Sequence, residues 1–103
     1  MTINELVSNL IEKTKKDELT WESQGGSLYR LITSNGSIVL EESYLVPGKP
    51  KYTIRLYDKD SCFATYQSAL NNQNDILSIL YKEISAYNNR LIENKIQNIF
   101  GSI

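Results

Sequence analysis

The chain has no histidine, which removes the commonest metal ligand and the commonest general base from its chemistry. Cysteine occurs once, at Cys62, so an internal disulfide is excluded. With no histidine to act as its base, Cys62 reads as a small strand residue rather than a nucleophile. No stretch approaches the roughly 20 apolar residues that span a bilayer. Neither sign of charge dominates. Eleven basic and twelve acidic residues leave a net charge of −1, which argues against a dedicated duplex-DNA binder with its basic face.

What is present is the composition of a folded protein. Hydrophobic residues make up 41% and charged residues 22%, close to the globular average, so disorder is excluded. The 103 residues suit one domain, 1–103, with a single core. Twelve isoleucines, ten asparagines and eight lysines against three arginines match the usage of an AT-rich genome, so the asparagines carry little functional information. The segment Met1-Thr2-Ile3-Asn4-Glu5 lacks the basic and apolar regions of a signal peptide. A cytoplasmic location is the expectation.

Periodicity divides the chain into three parts. Ile3, Leu6, Val7, Leu10, Ile11 and Thr14 form the apolar stripe of a surface helix, and Thr2 with Glu5 has capping-box spacing. That helix is expected to end near residue 16. From Leu19 to Gln67 the period becomes two, predicting strands over 19–23, 28–33, 38–44, 51–57 and 62–67. The turns expected between them are Gln24–Ser27, a type I′ hairpin at Asn35-Gly36, a loop over Val46–Pro50 and a turn over Asp58–Ser61. After a polar connector over 68–73, Asn74 and Asp75 suit the start of a second helix. Leu77, Leu80, Ile84, Tyr87 and Leu91 keep helical spacing, and the stripe then shifts to Ile92, Ile96, Ile99 and Ile103. No glycine or proline interrupts 74–100, so about 27 residues could form one helix of roughly 40 Å. A sheet of five strands covers only some 20–25 Å. The helix end is expected to outrun it, or to bend back at Asn88-Asn89. The predicted fold class is α+β, in the order α-β-β-β-β-β-α: an antiparallel meander with both terminal helices on one face.

Most candidate motifs reduce to structure. Asp58-Lys59-Asp60 begins like a calcium loop, but Cys62 and Phe63 stand where an Asp or Asn and a glycine are needed, and the closing glutamate is missing. Glu41 and Glu42 are adjacent on a strand and must point to opposite faces, so they form no carboxylate dyad. Gln24-Gly25-Gly26-Ser27 lacks the Lys-Ser/Thr of a phosphate loop. No metal or cofactor is expected, and no catalytic residue is assigned.

Strand parity is more informative. It sends Leu19, Trp21, Tyr29, Leu31, Ile38, Leu40, Tyr52, Ile54, Leu56, Phe63 and Thr65 inward, and Leu28, Arg30, Ile32, Val39, Thr53, Arg55 and Tyr57 outward. Arginine, tyrosine and aliphatic residues on an outer face compose an interface core or a flat ligand platform. Arg30, Arg55, Tyr57, Ile32 and Val39 are therefore the candidate partner face. Ile92, Ile96, Ile99 and Phe100 are the candidate dimer interface.

Three segments carry a resemblance: Leu10-Ile11-Glu12-Lys13-Thr14-Lys15 leading to Leu19-Thr20-Trp21-Glu22, then Tyr52–Asp58, then Leu77-Ser78-Ile79-Leu80-Tyr81. Together they resemble a loose class of small bacterial and phage proteins with a helix–meander–helix layout. Ser61 stands where that class usually has a glycine. The resemblance implies a fold and brings no established activity or functional residue. The expectation is a non-enzymatic interaction protein, phage- or mobile-element-encoded, that forms a homodimer and binds or inhibits a larger protein. The alternative is a small-ligand or nucleotide-binding module using the outer sheet face.

Overall fold

The computed structural model describes residues 1–68 and 75–103. The connector expected over 69–73 and the capping role considered for Asn74 lie outside the described residues. Helix α1 spans Ile3–Lys15, with the Thr2 hydroxyl accepting from the Glu5 amide and donating to the Glu5 carboxylate, both at 3.2 Å. It ends in a Schellman turn. Asp17 adopts a left-handed φ of 56°, its amide bonds the Thr14 carbonyl, and the Glu18 amide bonds the Lys13 carbonyl. This reversal delays the first strand, β1, to Trp21–Ser23; Leu19 and Thr20 precede it.

The sheet is an antiparallel meander in the order β1-β2-β3-β4-β5, completed by β2 (Leu28–Thr33), β3 (Gly36–Val46), β4 (Lys49–Asp58) and β5 (Ser61–Gln67). Hairpin geometry departs from expectation at two turns. Thr33 pairs with Gly36, so Ser34-Asn35 form the two-residue turn and Gly36 begins β3. A Cβ at Gly36 would overlap the backbone carbonyl of Tyr57 on the neighbouring strand, which is why glycine stands there. The expected loop at Val46–Pro50 is instead a tight turn of Pro47 and Gly48, with Gly48 at φ 77° and Val46 paired to Lys49. Proline pre-sets the first central position and glycine supplies the positive φ of the second. Pro50 sits within β4 opposite Tyr44, beside a register irregularity between Tyr44 and Val46.

Parity is correct for four strands and fails in β5. The register shifts between Leu56 and Tyr57: Leu56 faces Ala64, Tyr57 faces Cys62, and Phe63 is the extra, bulged residue. Phe63 consequently stays exposed at the rim of a cleft it lines with Leu6, Ile38 and Leu56 instead of joining the core, Thr65 shares the outer row with Arg55, and Tyr66 pairs with inward-facing Ile54. A one-residue slip or insertion in register inverts every side chain beyond it.

Helix α2 runs unbroken over Ile76–Gly101, so the bend considered at Asn88-Asn89 does not occur. Asp75 caps it, its carboxylate accepting from the Leu77 amide at 2.8 Å. One cluster of buried residues unites Val7, Leu10 and Ile11 of α1 with Leu77, Leu80, Ile84 and Tyr87 of α2 over Trp21, Tyr29, Leu31, Leu40, Tyr52 and Ile54. Both helices therefore cover the same face. Among the described residues no helix is long and apolar enough to cross a membrane.

Candidate functional site

Pairing register assembles the outer face. Glu22, Arg30, Val39, Arg55 and Thr65 form one row across all five strands; Ile32, Ser37, Tyr57 and Cys62 form the next. Arg30, Val39, Arg55 and Tyr57 line one shallow depression of about 420 Å³, shared with Gln24, Leu28, Ser37, Lys59 and Asp60. Ile32 is half exposed in the adjoining row. The five residues that parity nominated are thus brought together on the side away from both helices. Arg55 pairs with Glu41 at 3.5 Å, each side chain about one-third exposed, so its charge is partly engaged. Arg30 is exposed and makes no ion pair among the described residues. Thr53 lies in the outer set by register but is buried, flanked across the strands by Glu41 and Gln67.

The far half of α2 is the second candidate surface. Ile92, Ile96, Ile99, Phe100 and Ile103 are 46%, 59%, 66%, 70% and 97% exposed. Spacings of four, three and one residues keep Ile92, Ile96, Ile99 and Phe100 on one side of the helix, and Ile103 follows two residues past its end.

A tyrosine–carboxylate cluster lies between the sheet and the first half of α2. Glu42 and Tyr52 are cross-strand partners, and the Tyr52 hydroxyl donates to the Glu42 carboxylate at 2.9 Å. The Tyr81 ring from α2 sits 5.2 Å from Tyr52 and 5.5 Å from Tyr29, both tilted. Burial pushes the Tyr52 hydroxyl up to about 12, reinforced by its bond to Glu42 and by that negative charge. Burial also raises Tyr81, while the negative charge of Glu42 is the main cause of the rise at Tyr44. Every one of these shifts holds a phenol neutral, the reverse of what a tyrosine base or nucleophile needs. The cluster therefore reads as packing. Sequence reasoning missed it, although the parity that turns Leu40 inward also turns Glu42 inward.

Glu41 bonds Arg55 on the outer face and Glu42 bonds Tyr52 on the inner, so the two adjacent carboxylates do diverge. Asp58–Ser61 is a hairpin turn with Lys59 at φ 56°. Among the described residues no three His, Cys, Asp or Glu side chains are grouped to hold a metal ion. A more apolar cleft of about 490 Å³ opens between Leu6 of α1 and Ile38, Leu56 and Phe63 of the sheet. Compared with known proteins, the chain matches no family model, no curated protein and no solved structure.

Proposed function

We propose that the protein is a non-enzymatic interaction protein that self-associates through the far half of α2 and binds or inhibits a larger protein through the outer face of its sheet. The observation that carries this reading is the run of four large apolar side chains exposed along one side of α2, continued by Ile103 just past its end. Leaving such side chains in water forfeits about 1.5–3 kcal/mol for each that could be buried. The outer face supports the second half of the reading, since Arg30, Arg55 and Tyr57 beside Ile32 and Val39 have the composition of interface centres. A cytoplasmic setting and a phage or mobile-element origin belong to the same proposal and rest on residue usage alone.

Light scattering on the full chain and on Ile96→Lys/Ile99→Lys tests the self-association. A dimer that the double substitution converts to monomer is expected; a monomeric wild-type chain would end the proposal. The depression around Arg30, Arg55, Tyr57 and Lys59 favours a second reading, a platform for an anion or nucleotide. A thermal-shift screen against nucleotides separates the two, because a ligand at 100 times its Kd adds roughly 2.7 kcal/mol of stability.

A further inference from the structure

The side of α2 that carries the exposed isoleucines is the side that meets the sheet earlier in the same helix. Tyr81, Ser85, Asn88, Ile92, Ile96, Ile99 and Ile103 follow one another at intervals of four or three residues, one continuous stripe. At the start of that stripe Tyr81 packs on Tyr52 of β4 and Tyr29 of β2, and the Ser85 hydroxyl lies 3.5 Å from the Tyr29 hydroxyl. Farther along, Arg90 bonds Asp17, just ahead of β1, at 2.8 Å. The helix thus crosses the strands from β4 towards β1 and leaves the sheet past its β1 edge. Its isoleucines continue to face the level of a sheet that is no longer there.

We infer that this level is filled by the same segment of a second copy of the chain, running antiparallel. The inference rests on the self-association proposed above and adds its geometry. Two packed helices lie about 8–10 Å apart. In a parallel, in-register pair the partner's Tyr81 and Ser85 would fall at that distance on the stripe side, where Tyr29 and Tyr52 already stand. The sheet itself excludes that arrangement. In an antiparallel pair the partner enters from the open end. Setting Ile96 against the partner's Ile99 also sets Ile92 against the partner's Ile103. All four isoleucines of each copy are then matched, and the partner's helix, which ends at Gly101, stops short of the sheet. Sliding the partner one heptad inward would drive it under Tyr29, whose hydroxyl already meets Ser85.

Charge and area agree with this register. Glu93 falls opposite Ser102 and Lys95 opposite Phe100, so no like charges meet. From their fractional exposure the five side chains present roughly 600 Å² per copy, so complete burial in both copies sets an upper limit at the low end of the ~1,200–2,000 Å² that stable interfaces bury. The two-fold axis lies across the helices and in the plane of the sheet. It turns the two Arg30–Arg55–Tyr57 faces to opposite sides of the dimer, which suits a protein that joins two copies of one partner.

Disulfide trapping tests the geometry in a full-length Cys62→Ser background, where the introduced cysteine is the only thiol. Ile92→Cys and Ile103→Cys proteins, one carrying a mass tag, are oxidised separately and mixed. Cross-linking needs Cα atoms within about 7 Å, whereas two Ile92 positions lie roughly 16 Å apart along the antiparallel pair. The expected result is a covalent heterodimer in the mixture and little homodimer from Ile92→Cys alone. Efficient homodimer from Ile92→Cys overturns the antiparallel geometry, as does a dimer by light scattering that yields no cross-link in any sample. A monomer by light scattering instead overturns the self-association on which the geometry depends.

Discussion

A buried relay at the end of α1 decides more of the stability than any surface contact. The Trp21 indole is 3% exposed and its Nε1–H donates to the Thr14 hydroxyl at 3.0 Å, which in turn donates to the Leu10 carbonyl at 2.6 Å. Thr14→Val keeps the shape but strands the indole N–H in the core, and should cost about 1–3 kcal/mol in urea denaturation. Trp21→Ala removes the ring itself and should cost about 3–5 kcal/mol. Equal stability of Thr14→Val and wild type would mean that the relay contributes nothing. Alongside the raised Tyr81 and Tyr44, Tyr52 contributes to the alkaline limb. Its folded value of about 12 exceeds the ordinary 10, so the stabilisation is fully present below pH 10 and is lost as pH rises towards 12. A gap of that size corresponds to roughly 2–3 kcal/mol. Tyr52→Phe should therefore unfold with a flatter pH dependence between 10 and 12, measured by circular dichroism in urea at each pH.

Elements inherit their limits from single residues. Gly36 is needed because β3 passes too close to the Tyr57 carbonyl for any side chain. Gly36→Ala should cost about 1–3 kcal/mol, the range for forcing extra volume into a packed site; an unaffected melting temperature would show that the strands can part at no cost. The two helices, the five strands and the inward set of β1 to β4 were legible from periodicity, because each is dictated by which residues a local repeat brings to one side. The β5 bulge was not. Ser61–Gln67 alternates equally well in either phase, and only pairing with β4 makes Phe63 the extra residue. The tight Pro47-Gly48 turn escaped for a related reason: two prolines in five residues read as a loop until the cross-strand partners of Lys49 and Pro50 are known.

At the scale of the whole molecule, the outer face tolerates change that the core does not. Arg30→Ala/Arg55→Ala should stay within about 0.5 kcal/mol of wild type, since Arg30 is exposed and the Arg55–Glu41 pair is partly solvated. A large loss in chemical denaturation would mean that the face is structural rather than free to bind. The sequence by itself determined the α+β layout, the antiparallel meander, the outer company of Arg30, Arg55 and Tyr57, and a helix too long for its sheet. Those follow from hydrophobic period, strand parity and chain length, all of them local quantities. Tertiary structure alone decided the rest: the bulge that exposes Phe63, the Glu42–Tyr52 bond, and the path of α2 from β4 across β1. Each depends on contacts between residues far apart in the chain, whose energies come from register and burial that no local pattern encodes.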